Sequence, residues 1–336
     1  MTSNRGTRGR GCPQGRTAAI VVAAVAVGLS CSEETGVTPL VVDGTARITG
    51  QLFLDANGSG VFESGFDDVV ASALLRLRLA ASGSILGETQ TDAQGLFDFE
   101  SIPVGTLRLE VDSILLGDSL VARFEQSDTF SVAAGDSLGF QVGVGAPERS
   151  IPEIRSLPPD EPVFTSGIAL NDWTELGGSI HLESDSSFLR VTGVPAVEVG
   201  VGDSIRVSGR TSTAQGIVFL VGGRAFSLEQ DARPVTPWAV TTAQAGTAQG
   251  GDLEAALVVM SQVTVTSNSA VAGGFIVEGT DGTSEVSIRI RDTTGIDPAE
   301  VPVGTVFPSV VGVLVPSGPG VWEVVPRSRD DASPPN

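Results

Sequence analysis

The residues best suited to chemistry stand close together. Asp55, Asn57 and Ser59 alternate with small residues, Gly60 follows, and Val61 and Glu63 come next. Oxygen donors at positions one, three and five, a glycine at six and a backbone carbonyl at seven make the first half of a calcium loop. Glu63 falls at position nine. Position twelve, where a bidentate acid would close the site, is Phe66, with Asp67 and Asp68 just beyond. Closure by Asp67 requires the loop to bulge. The candidate ligands for calcium are therefore Asp55, Asn57, Ser59, Val61 through its carbonyl, Glu63 and Asp67. The competing reading is a polar Asp/Asn/Gly hairpin that holds no ion.

Other reactive patterns are weaker. Gly135-Asp136-Ser137-Leu138-Gly139 fits G-x-S-x-G, but that nucleophile elbow needs a strand–turn–helix and a histidine base. A similar Gly-Asp-Ser recurs at Gly117 and Gly202, which makes it a turn motif. His181 lies in an alternating run, Ser179-Ile180-His181-Leu182-Glu183, and is expected to face solvent. Asp330 and Asp331 read as a solvated end. No catalytic or cofactor-binding residue is assigned, and the chain reads as non-enzymatic.

Composition narrows the field further. The 336 residues hold 40 acids against 20 basic residues, every one of them Arg, for a net charge of −20. Without Lys there is no P-loop lysine, Schiff base or Ser–Lys dyad. One His excludes a multi-histidine metal centre. The two cysteines, Cys12 and Cys31, exclude a zinc ribbon and a disulfide framework.

Residues 1–16 carry Arg5, Arg8, Arg10 and Arg16 and no acid, and residues 17–29 are almost wholly apolar. A basic start, a short apolar stretch and Ser30 before Cys31 read as a signal peptide over residues 1–30. Gly28-Leu29-Ser30-Cys31 resembles a bacterial lipobox. That resemblance makes Cys31 a lipidated first residue and places the protein in the cell envelope, anchored to the outer membrane. Ordinary secretion with a free cysteine and an uncleaved anchor are the alternatives. Loss of residues 1–30 removes the four arginines and deepens the negative charge.

Residues 31–44 read as a tether. From Thr45 onward, runs such as Leu74-Leu75-Arg76-Leu77-Arg78-Leu79 alternate with period two between Gly, Asp, Asn and Ser turns. That texture predicts an all-β chain. Residues 148–162 hold Pro152, Pro158, Pro159 and Pro162 and read as an extended linker. A repeat follows: the stretch from Val199 to Ile205 aligns with that from Val301 to Phe307, and Gly216-Ile217 with Gly320-Val321. Two related domains are expected, at 163–235 and 236–331, before a disordered tail at 332–336.

Two segments of residues 45–147 carry a further resemblance. They are Gly50-Gln51-Leu52-Phe53-Leu54-Asp55-Ala56-Asn57-Gly58-Ser59-Gly60-Val61-Phe62-Glu63 and Thr91-Asp92-Ala93-Gln94-Gly95-Leu96-Phe97-Asp98-Phe99-Glu100-Ser101-Ile102-Pro103-Val104-Gly105. They resemble the B-type, prealbumin-like repeat of serine–aspartate surface proteins, which implies a β-sandwich. Val201-Gly202-Asp203-Ser204-Ile205-Arg206-Val207, and Phe275-Ile276-Val277 with Val286-Ser287-Ile288-Arg289-Ile290, are similar to OB-fold domains found beside bacterial extracellular nucleases. That implies two OB-like barrels, whose exposed face can take oligonucleotides or oligosaccharides.

Single-strand binders need a basic groove and stacking aromatics. Here Arg206, Arg210, Arg224, Arg289 and Arg291 are scattered among more numerous acids, and the aromatics are expected to fill cores. The expectation is a surface display or binding module for a protein or glycan partner, with nucleic acid disfavoured. The alternative is an accessory oligonucleotide- or glycan-binding module of an extracellular hydrolase system. A hydrolase with an unrecognised acid pair is a third possibility.

Overall fold

A computed structural model describes residues 44–112, 114, 119–195, 197–229 and 233–334. The signal peptide, Cys31 and nearly all of the tether lie outside the described residues. The chain is all-β, with two short α-helices and four short 3-10 helices named among the described residues.

The first domain has nine strands: β1 (Thr45–Leu54), β2 (Asp68–Val69), β3 (Leu74–Leu79), β4 (Ile85–Gln90), β5 (Leu96–Pro103), β6 (Gly105–Val111), β7 (Val121–Phe124), β8 (Thr129–Val132) and β9 (Ser137–Gly145). One sheet runs β2-β1-β9-β7, with β5 also paired to β1, and the other runs β4-β3-β6-β8. Alternation decides which side chains enter the space between them. Ile48 and Leu52 from β1, Leu75 and Leu77 from β3, and Phe140 and Val142 from β9 share one buried cluster. Arg76 and Arg78 take the opposite face of β3. The first and last strands pair in parallel, from Arg47 opposite Ser137 to Leu54 opposite Val144.

Residues 149–162 are not an extended linker. Helix α1 (Ile151–Ile154) forms one turn there, with Ser150 and Glu153 closing a capping box and Pro152 in its first turn. Ile151 and Ile154 are buried in the core of the next domain. An apolar pair three residues apart outweighs the prolines flanking it, because one helical turn puts both on the same side. The backbone of Arg149 and Phe164 then runs together (Arg149 N to Phe164 O, 2.8 Å), so the two domains meet directly.

The next strands are β10 (Pro162–Ala169), β11 (Ile180–Ser184), β12 (Ser187–Thr192), β13 (Ser204–Ala214) and β14 (Ile217–Glu229). They close into a barrel in the order β10-β11-β12-β14-β13. A second ring follows from β16 (Leu257–Val271), β17 (Gly274–Thr280), β18 (Glu285–Arg291), β19 (Val306–Gly318) and β20 (Val321–Val325). It runs β16-β17-β18-β20-β19 and closes through β16 and β19. In each ring only the third and fifth strands pair in parallel. The repeat read from the sequence marks equivalent turns. Gly202 and Gly304 precede the fourth strands with φ of 92° and 89°, and Gly216 and Gly320 precede the fifth with 82° and 69°. All four occupy the left-handed region that glycine enters without strain.

The rings are packed on each other. Leu170, Leu176 and Phe188 of the first belong to the buried cluster of the second. Between the rings, β15 (Trp238–Ala239) pairs with β16, and Trp238 meets the Phe188 ring edge-on at 5.9 Å. Helix α2 (Thr242–Thr247) follows and ends in a left-handed stretch at Ala248, Gln249 and Gly250. The C-terminal segment is ordered by contacts that charge counting missed. Ala332 is fully buried, and Asp331 is not solvated but holds Arg327 in a two-pronged pair (2.8 and 2.9 Å).

Candidate functional site

The loop from Asp55 to Asp67 brings every candidate calcium ligand into one turn, but commits the carboxylates elsewhere. Asp55 is buried. Its two oxygens accept from the Ser59 and Gly60 amides at 3.0 and 3.2 Å. Arg123 stands 3.6 Å from the same carboxylate. Asp67 accepts from the Ala56 and Glu63 amides at 2.9 and 2.8 Å. Asn57 bonds Glu63 through its side chain, and the Ser59 hydroxyl donates to the Val61 carbonyl at 2.9 Å. Asp67 does reach back into the turn, as the bulged reading required, yet as a cap for backbone N–H groups. Among the described residues no cluster of three or more His, Cys, Asp or Glu is placed to hold a metal. A calcium ion in this loop would share the Asp55 carboxylate with the Arg123 guanidinium.

His181 departs from expectation. It is buried, and Asn171 Oδ1 accepts from both its backbone N–H and its Nδ1, each at 2.9 Å. Burial, with Arg190 and Arg291 nearby, pushes its pKa down to about 3. The buried imidazole is therefore neutral at pH 7. Its neighbours Ile180 and Leu182 fill the barrel core, so His181 lies on the outer face, which is covered here instead of open to solvent. Ser137, of the G-x-S-x-G match, starts β9 and is followed directly by strand and not by helix.

A buried charge cluster lies where the barrels meet. Glu254 is fully buried, with Arg155 of α1 at 3.6 Å and Arg190 of β12 at 3.5 Å. Neither carboxylate oxygen accepts a hydrogen bond. Burial pushes the Glu254 pKa up to about 7, against the pull of both arginines. Arg155 also donates to the carbonyl oxygens of Phe188 and Glu254 at 2.8 and 3.2 Å. Glu254 itself is enclosed, while the Arg155 and Arg190 side chains are partly exposed. An acid set in the apolar run Leu253-Glu254-Ala255-Ala256-Leu257 was the visible sign of this cluster in the sequence.

The open site lies on the outer face of the first sheet. Outward residues of β1 alternate as Arg47, Thr49 and Gln51. Thr49 lies between Asp98 on β5 and Gly139 on β9, and Gln51 between Leu96 and Gln141. A Cβ on Gly139 would meet nothing within 4 Å, so the missing side chain leaves a trough. With Thr89 and Gln90 from β4, these residues line a groove of about 730 Å³.

Its charges are already used. Arg47 donates to Asp98 (Nε to Oδ1, 3.0 Å) and holds that carboxyl below the usual range. Asp92 accepts from the amides of Gln94 and Leu96, each at 2.9 Å. The carboxamides are each fixed at one end: Gln51 Nε2 donates to Gln94 O at 3.1 Å, and Gln141 Oε1 accepts from Phe62 N at 2.8 Å. That leaves the Gln51 oxygen and the Gln141 nitrogen to face a ligand. The trace these residues leave in the sequence is Thr49 and Gln51 alternating on one strand and Gly139 on another.

No known family model matches the chain, and no curated protein matches it. Solved structures do show weak likeness. A murine DNA-binding protein bound to double-stranded DNA is 9% identical, with a TM-score of 0.27 over 50% of this chain and 94% of its own. A candidate carbohydrate-binding protein of Pseudomonas aeruginosa is 19% identical, with a TM-score of 0.18 over 29% of this chain and 88% of its own. The Bacillus anthracis TIE protein is 12% identical, with a TM-score of 0.23 over 55% of this chain and 32% of its own.

Proposed function

We propose that this chain is an exported, non-enzymatic binding protein of the bacterial envelope, anchored through lipid on Cys31. Its first domain takes a neutral glycan in the groove over Thr49, Gln51, Gly139 and Gln141. The observation that carries this reading is the chemistry of the groove: about 730 Å³ of space in which the acids are paired or capped and the remaining polar groups are hydroxyls and carboxamides. Such groups both donate and accept, as sugar hydroxyls do. Exposed Leu96 offers an apolar edge for a pyranose face. The net charge of −20 favours an uncharged ligand over a polyanion such as nucleic acid.

The test is a glycan array probed with the full chain and with Gly139→Trp, which fills the trough where a side chain meets no neighbour. Retention of defined neutral glycans, weakened at least tenfold by Gly139→Trp and by Gln141→Ala, is expected. Retention of none, or equal retention by all three proteins, overturns the reading.

A further inference from the structure

Strand β18 alternates Ile288 and Ile290 inward with Arg289 and Arg291 outward. Arg289 is anchored through Nε to Glu323 at 2.7 Å, which leaves its terminal nitrogens unheld by that bond. Arg291 is different. It is half-buried, and among the described residues it makes no side-chain hydrogen bond or ion pair. Burial, and Arg289 beside it, lower its pKa. A partly desolvated guanidinium without a counter-charge is costly, the more so in a chain where acids outnumber bases 40 to 20.

The backbone of the neighbouring strand runs close against Arg291, and the tip of the arginine side chain lies beside Gly177 of the first barrel, where an added Cβ would come within 3.2 Å of it. The cross-strand partner of Arg291 is Gly274, where a Cβ would strike the Ile290 carbonyl and come within 2.9 Å of Arg291 Cα. Next to it, Gly273 has φ of 76° and open space on its Cβ side. The result is a groove of about 490 Å³ lined by Ala272, Gly273, Arg289, Arg291, Asp292 and Thr293. Asp292 also lines the groove but forms no ion pair with Arg291, and its amide donates to Gly273 O at 3.0 Å.

We propose that this groove binds an oxyanion, the carboxylate or phosphate group of a small ligand, on the Arg291 guanidinium, with Arg289 beside it and the Thr293 hydroxyl at its rim. A guanidinium edge matches two oxygens of either group with paired N–H donors. The ligand supplies the counter-charge that the fold withholds.

The test is calorimetric titration of the full chain at low ionic strength with sodium phosphate and, separately, sodium malonate, against sodium chloride. Saturable binding of phosphate alone identifies the group as phosphate, and of malonate alone as carboxylate. Arg291→Gln is expected to weaken that binding at least tenfold. Thr293→Asp, an exposed position whose new carboxylate would occupy the guanidinium, is expected to do the same and serves if Arg291→Gln fails to fold. Arg210→Gln, which removes an exposed arginine on the other barrel, is expected to bind as the parent does. Saturable binding of neither anion, or binding unchanged in both groove variants, overturns the proposal.

Discussion

Arg206, on β13 of the first barrel, donates to the carbonyl oxygen of Gly58, 148 residues earlier in the chain. The loop that resembles a calcium turn thus serves as a docking arm. Its Phe66 meets Phe226 edge-on at 6.1 Å, and Arg123, behind it, covers the Phe164 ring at 5.0 Å.

The docking arm predicts joint unfolding of the first domain and first barrel. A hydrogen bond from a charged donor contributes about 1.5–3 kcal/mol and an edge-on aromatic pair about 0.5–1.5 kcal/mol. Urea denaturation followed by far-ultraviolet circular dichroism, which reads the strands of both domains, is expected to show one transition for the parent and two for Arg206→Ala with Phe66→Ala. A single unshifted transition in the double variant would remove the arm's coupling role.

The same loop predicts weak calcium dependence. A ligand bound only to the folded state raises the unfolding midpoint in proportion to its occupancy. With Asp55 already holding two amides beside Arg123, millimolar calcium is expected to move the midpoint by less than about 1 °C. Asp55→Ala leaves those amides and Arg123 without their acceptor, and is expected to lower stability by about 2–4 kcal/mol without added metal. A calcium-dependent rise of several degrees that disappears in Asp55→Ala would restore the ion site.

The barrel junction predicts a pH signature made of two opposed parts. Glu254, raised from 4.5 to about 7, contributes stability that is present below pH 4.5 and lost as pH rises through 7. His181, lowered from 6.5 to about 3, contributes stability that is present above pH 6.5 and lost as pH falls toward 3. Between about pH 4.5 and 6.5 the two slopes cancel. Glu254→Gln removes one of them. Relative to the parent it is expected to gain about 3 kcal/mol as pH rises from 4.5 to 7. Chemical denaturation at several pH values checks this, and a parallel pair of curves would refute it.

The left-handed stretch after α2 predicts a stabilising change. Gln249 has φ of 49° and ψ of 44° and is exposed, so it bears the strain of that region without burying its side chain. Gln249→Gly is expected to raise stability by up to about 1 kcal/mol, as the relieved strain exceeds the entropy glycine adds to the unfolded chain. Thermal unfolding reads the sign.

Period-two alternation made the strands legible, and Gly202, Gly216, Gly304 and Gly320 were legible as turns that precede strands. What escaped was whatever depends on which surface an element meets. His181 sits on a regular strand, yet whether its face is open depends on residues from the other barrel. The Ile151–Ile154 turn looks like linker until a barrel end is there to receive it. The glycan groove needs Thr49, Asp98 and Gly139 side by side, and only the register of β1 with β5 and β9 brings them together. The calcium pattern was legible as a loop, while the arrival of Arg123 from β7 beside Asp55 was not.

The parallel pairing of β1 and β9 has a mechanical consequence. Thr45 and Gly145, the chain ends of the first domain, lie at opposite ends of a ladder running from Arg47–Ser137 to Leu54–Val144. Tension applied between those ends acts along the strands, so the ladder is loaded in shear and its bonds must yield together instead of unzipping one at a time. A domain threaded in this way can transmit a pull from one end of the chain to the other while staying folded.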